Sequence, residues 1–221
     1  MSYPINYPTP QGANVQIFYA PNRSGSNNGV TWTKPQGASF VWFTLIGAGG
    51  NGDGTTGGGS GAVTNFMCPA FLIPDQLSIR VGNAASNTTS IRYQQKEGAG
   101  YLLLSAQGAS GSTQGPATAA SYFTAMGFYQ SIDGQNGTAI GVVASTTTFL
   151  SEGGNNGAGH TQASNYGYST GPASTNRDGF FQTQPIIVGA GGMGTGKGGI
   201  GCGGGVTSGT GGNGMVVIIT W

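Results

Sequence analysis

The chain has 221 residues, of which 45 are glycine; only 6% are charged and the net charge is +1. Charged residues make up about a quarter of an ordinary globular protein, so a surface built on ion pairs is excluded. The basic residues (Arg23, Lys34, Arg80, Arg92, Lys96, Arg177, Lys197) are scattered, whereas a nucleic-acid footprint needs them clustered. Disordered chains share this glycine content but are poor in β-branched and aromatic residues. Here Val, Ile, Leu, Phe, Tyr and Trp fall in compact runs, so an ordered, neutral, glycine-padded β protein is expected.

The opening MSYPINYPTPQG lacks the basic start and apolar core of a signal peptide, so none is expected. Pro4, Pro8 and Pro10 keep it extended. VQIFYAP (Val15 to Pro21) alternates weakly and reads as a short strand, so residues 1–30 are taken as an arm plus strand, ahead of a glycine-rich β domain over 31–221. Pro35 and Gly37 make a turn that launches a strand with Phe40, Trp42, Thr44 and Ile46 on one face and Val41, Phe43 and Leu45 on the other. Both faces are largely apolar, which predicts a central strand in an antiparallel, jelly-roll-like sandwich. AVTNFMCPAFLIPDQLSIRVGNAA holds two strands around Pro69 and Pro74, and NTTSIRYQQ and GYLLLSAQG form a further pair with KEGAG as their hairpin loop. Over 109–184 the pattern weakens into strands joined by long surface loops; a helix at Ala117 to Tyr129 is the lesser alternative, since Ser, Thr and Gly oppose it. No apolar run approaches the ~18 residues of a membrane helix, so no membrane insertion is expected.

Two glycine runs follow or join apolar strands: Gly47 to Gly61 after SFVWFTLI, and Gly189 to Gly214 between PIIV and MVVIITW. Ordering a glycine costs roughly 0.5–1 kcal/mol more than ordering alanine, so the runs are either flexible tethers or have found compensation. A tether has no reason to return into a sheet. The expectation is therefore ordered runs in polyglycine-II-like packing, in which extended helices of about three residues per turn bond to one another through bare backbones.

Chemistry has few candidates. GAGGNG (Gly47 to Gly52) and GAGGMG (Gly189 to Gly194) satisfy G-x-G-x-x-G after a strand, but a dinucleotide site also needs a helix at the last glycine and an acidic residue about twenty positions on. Neither is present, and in so glycine-rich a chain the pattern arises by chance. GGMGTGKG (Gly191 to Gly198) nearly spells a phosphate loop, with Gly198 where the Mg²⁺-holding hydroxyl belongs. His160 stands alone, and Asp53, Asp75, Glu97, Asp133, Glu152 and Asp178 show no pairing. Cys68 and Cys202 could form one disulfide, the plainer reading being two free thiols. No catalytic residue, metal site or cofactor is expected.

Thr31 to Gly50 (TWTKPQGASFVWFTLIGAGG) and Gly211 to Trp221 (GGNGMVVIITW) together resemble the two ends of the glycine-rich domain of bacteriophage tail-fibre, minor tail and other virion proteins. In that family a T-W/F-T-x-P-x-G turn, an alternating strand and a glycine tract open the domain, and a glycine tract with G-x-G-x-V-x-I-x-x-W/Y closes it. The resemblance spans roughly 31–221, with 107–180 poorly matched. It implies a non-enzymatic virion protein, assembled in the host cytoplasm onto the particle exterior, with other virion proteins as partners. A closed homo-oligomer, a trimer, or else a place within a larger shell is expected because so uncharged a chain must satisfy its edges by association. Host adhesion to a receptor or glycan through the 109–184 loops is one role for it. Tyr166 and Tyr168, set among Asn, Gly and Ser, are the best-placed contacts, with Tyr122 and Tyr129 beside them. The alternatives are a carbohydrate-binding module and, last, a nucleotide-binding enzyme.

Overall fold

Alternating apolar runs separated by proline and glycine leave the backbone one economical solution, a set of short strands paired edge to edge. The computed structural model describes residues 12–20, 29–83, 88–93, 100–137 and 196–221. It contains β1 (Asn14–Tyr19), β2 (Val30–Thr33), β3 (Phe40–Ile46), β4 (Val63–Pro69), β5 (Gln76–Arg80), β6 (Thr89–Tyr93), β7 (Tyr101–Ala106), β8 (Phe128–Ile132) and β9 (Met215–Thr220). They form a five-stranded sheet in the order β1-β9-β3-β4-β8 and a four-stranded sheet in the order β2-β5-β6-β7, with antiparallel neighbours throughout. The protein is an all-β sandwich.

The two faces of β3 go where its sequence directs them. Val41, Phe43 and Leu45 meet Trp32, Leu77, Ile79, Ile91 and Leu104 between the sheets, while Trp42 and Ile46 join Val63, Met215, Val217 and Ile219 on the other face. All of these side chains are buried, so the five-stranded sheet is covered on both sides. A buried polar pair, Thr44 Oγ1 donating to Asn65 Oδ1 at 2.9 Å, sits on the second face. It aligns β3 with β4 at the Thr44↔Asn65 register position.

The sheet assignment of three strands was not specified by the sequence. The short strand expected ahead of the glycine-rich domain is β1, and it joins the domain's main sheet: all six of its residues pair with β9, placing it at the sheet edge. The two strands expected around Pro69 and Pro74 are β4 and β5, which belong to different sheets. A 3-10 turn at Ala70–Leu72 bridges them. Lys34 clamps that crossing. Its Nζ donates to the carbonyls of Ala70 (3.1 Å) and Ile73 (3.0 Å) and pairs with Asp75 at 2.9 Å. Because Asp75 is 86% exposed, the ion pair contributes little, whereas without the ammonium the Ile73 carbonyl loses this donor and the Ala70 carbonyl keeps only the long bond from Ile73 N–H (3.4 Å). Lys34→Ala should therefore cost about 1–3 kcal/mol in urea denaturation, and Asp75→Asn under about 1 kcal/mol. Equal losses would place the stabilisation in the ion pair instead.

Over 117–129 there is no α-helix; a 3-10 turn, Thr124–Met126, leads directly into β8. The preceding stretch straps the side of the sandwich. Thr118 donates its N–H to Ser131 Oγ (2.9 Å) and its hydroxyl to the Ser105 carbonyl (2.9 Å), where Thr64 Oγ1 also donates (2.8 Å). One carbonyl on β7 is thus tied to both β4 and the strap.

The glycine segments that the structure describes are ordered by their own hydrogen bonds. Gly47, Gly50 and Asp53 donate N–H to Ala62, Gly59 and Thr56, while Gly49 and Gly52 donate to Gly212 and Gly209, all at 2.8–3.1 Å. Along the returning segment, Gly58 and Gly61 donate to Gly204 and Gly201, Gly59 and Ala62 to Gly111 and Gln107, and Ser60 to Gln135. Partners recur every third residue and alternate among different neighbours. That is the period of an extended helix with three residues per turn, here bonded laterally into a lattice. Residues 189–195 of the second run lie outside the described part.

Candidate functional site

Strand direction sorts the surface into two ends. β3 and β8 run toward the lattice, and β4 and β9 leave it. At the far end, called the base, lie Phe40, Pro69, Phe128 and Trp221 together with Asn14 of β1, opposite Thr220. At the lattice tip, the apex, lie the turns Asp53–Thr56 and Ser110–Thr113 and the turn after Val206, whose carbonyl accepts from Gly54 N–H at 2.7 Å.

The apex is polar and hydroxyl-rich. Asp53 Oδ1 accepts from Thr55 N (2.9 Å), Thr55 Oγ1 (2.9 Å) and Thr56 N (2.7 Å), closing its turn. Those backbone donors hold the Asp53 carboxyl below its ordinary range. Both flanks of residues 138–195 also belong to the apex. Gly137 donates to Ser112, and the Gly196 carbonyl accepts from Gly205. Tyr166 and Tyr168 lie in that interval, outside the described residues.

The base is apolar. Phe40 and Trp221 stack at 5.8 Å between centroids, and Phe71 on the bridging 3-10 turn is 82% exposed. Tyr101, Met126 and Phe128 are exposed as well. Tyr122 belongs to this half of the molecule, just before the 3-10 turn that feeds β8, and is 98% exposed. Tyr129 is occupied internally: its ring packs against the core and its hydroxyl donates to the Thr118 carbonyl at 2.6 Å. The described members of the tyrosine set are thus on the strap and β8, away from the apex turns. Phe71 escaped the sequence reading because it sits inside an apolar stretch; its position between Pro69 and Pro74, which bar a continuous strand, was the available signal.

In comparisons with protein-family models, curated proteins and solved structures, nothing matches the chain.

The glycine amides of the motif at Gly47 to Gly52 are already committed to backbone acceptors. The N–H groups of Gly47, Gly49, Gly50 and Gly52 all donate to backbone carbonyls of the lattice, and no helix follows. In the near-phosphate loop, Gly198 N–H donates to Thr210. His160 lies outside the described residues, and among the described residues no three His, Cys, Asp or Glu side chains form a metal-sized group. The two cysteines are not joined in a disulfide; both are buried thiols, Cys68 near the base and Cys202 in the lattice. Burial pushes the Cys68 thiol from 9.0 up to about 11, against a smaller opposing pull from Lys34. A raised folded-state value means that the unfolded chain ionises first. The contribution is complete below pH 9 and is lost as pH rises through about 11. Over that window the urea midpoint of the wild type should fall more steeply than that of Cys68→Ala; parallel curves would show that the thiol ionises equally well in both states.

Proposed function

We propose that the protein is a non-enzymatic structural component of a phage-like virion exterior, capsid- or tail-associated, which seats its base on other virion proteins or on further copies of itself and presents its apex outward. The observation that carries this reading is the polarity of the fold. Most exposed aromatics (Phe40, Phe71, Tyr101, Tyr122 and Phe128) gather toward the base, the kind of patch that marks a protein interface, with Tyr19 at the lattice end of β1 the exception, while hydroxyl-bearing turns and both flanks of the 138–195 interval gather at the apex. The virion resemblance fits the same geometry. Its two signature stretches form one unit, β3 pairing with β9 from Val41↔Thr220 to Ile46↔Met215, with their glycine continuations bonded through Gly49 and Gly212. A sandwich extended by a glycine lattice is a stiff spacer with little charge, suited to holding a contact surface away from a particle. Host adhesion is the outward role proposed for the apex side.

The buried native thiols make a direct test available. Thr55→Cys places a reactive thiol at the exposed apex turn, and Phe71→Cys places one at the exposed base. In intact particles a maleimide-gold label should mark the first variant on the exterior and spare the second, while both label in the isolated protein. Label on the base alone would reverse the orientation, and particles lacking the protein would overturn the assignment.

A further inference from the structure

Three Asn–Gly pairs end or flank lattice segments: Asn51–Gly52, Asn136–Gly137 and Asn213–Gly214. Asn–Gly is the dipeptide most exposed to spontaneous deamidation, because glycine carries no side chain to hinder its own nitrogen. That nitrogen attacks the asparagine Cγ, its proton goes to solvent base and ammonia leaves. The resulting succinimide takes up water and opens to aspartate or isoaspartate. In this fold every one of the attacking nitrogens is engaged. Gly52 N–H donates to Gly209 O (2.9 Å), Gly137 N–H to Ser112 O (2.8 Å) and Gly214 N–H to Gly82 O (2.8 Å). Two of the electrophiles are held as well, since Asn51 Oδ1 accepts from Gly211 N (2.9 Å) and Asn136 Oδ1 from Gln114 N (2.8 Å).

The geometry points to Asn51, Asn136 and Asn213 as latent modification sites whose conversion is gated by opening of the glycine lattice. While a segment stays bonded, its glycine nitrogen faces a carbonyl on another segment and cannot turn onto the neighbouring side chain. Once a segment parts from its neighbours, the reaction proceeds at the rate of an unfolded chain for as long as it stays open. The change is self-reinforcing. Isoaspartate adds a main-chain methylene and a carboxylate, which breaks the three-residue step, so a segment that has reacted to isoaspartate cannot resume its original bonds. The lattice therefore keeps a durable protein chemically intact and leaves a permanent mark wherever it has opened.

The test uses the full-length protein held at mildly alkaline pH and 37 °C, native in one arm and unfolded in urea in the other, with acid-quenched peptide mapping by mass spectrometry. The three sites should convert at least about tenfold more slowly in the native arm, the factor given by an opening free energy of only about 1.4 kcal/mol. Hydrogen exchange of the Gly52, Gly137 and Gly214 amides should rank the sites in the same order as their native deamidation rates. Equal rates in the two arms, or a ranking unrelated to exchange, would overturn the gating.

Discussion

Gly49→Ala should lower the melting temperature by about 6–12 °C, and Gly58→Ala by a similar amount. A Cβ on Gly49 would fall on the carbonyl of Cys202 and near the nitrogen of Gly203; one on Gly58 would meet the carbonyl of Gly50 and the nitrogen of Gly204. These obstacles are backbone, so no side chain can rotate aside. Neighbouring segments must separate, and with them go bonds such as Gly49 to Gly212 and Gly204 to Gly50. Overpacking a close-packed interior costs about 1–3 kcal/mol and occasionally more, and the broken lateral bonds push this case to the upper limit. At about 2–4 °C per kcal/mol for a chain of this size, the stated range follows. Gly54→Ala supplies the contrast. Its Cβ would meet nothing, but its φ of +97° is strained for any L side chain, at a cost of about 1–2 kcal/mol. Thermal unfolding followed by circular dichroism measures all three. Should Gly49→Ala shift no further than Gly54→Ala, the segments are not in close contact and the lattice is looser than its hydrogen bonds imply.

What could be read in advance follows from where the information resides. β3 and β9 announce themselves because their side chains alternate or run apolar, and burial on two faces leaves no other arrangement for Trp42, Phe43 and Val217. The hairpin of β6 and β7 was equally legible, with its loop signalled by glycine. The partner of β1 was not, since nothing local in NVQIFY specifies β9, nearly two hundred residues away in sequence. The separation of β4 from β5 hinged on a 3-10 turn between two prolines, which reads identically to an ordinary strand connection. The glycine runs carried an expectation of order, but no period could be seen in them. Glycine has no side chain to mark a face, so the three-residue step appears only in the partners of the N–H groups. The candidate contacts were harder still. Tyr129 and Tyr122 look alike in SYFTAMGFYQ, yet Tyr129 has an acceptor in Thr118 and Tyr122 is almost wholly exposed. That difference is set by the course of the strap across the sandwich, not by the residues beside each ring.

On the adhesive role proposed above, a Tyr166→Ala, Tyr168→Ala double variant should assemble into particles yet adsorb to host cells about thirtyfold more weakly. The argument joins sequence to topology. NYGYS sets two tyrosines among small polar residues, the composition of adaptable binding surfaces, and the interval that contains it departs from and returns to the lattice at the apex, through Gly137 and Gly196. Tyrosine combines a large contact area with a hydroxyl that can pair with sugar or peptide groups at low entropic cost. Removing a hot-spot residue costs about 2 kcal/mol or more, which is the stated factor in affinity. Tyr129→Phe serves as the companion variant: it deletes the hydroxyl bonded to Thr118, so it should lower stability by about 0.5–1.5 kcal/mol and leave adsorption unchanged. Adsorption is read from the rate at which particles disappear from a host suspension, and assembly from particle yield. If the double variant adsorbs normally, the apex serves as spacer or packing and the structural role stands without the adhesive one. If particles fail to form, the two tyrosines belong to a subunit contact, and the outward orientation must be re-examined with the thiol labels at Thr55→Cys and Phe71→Cys.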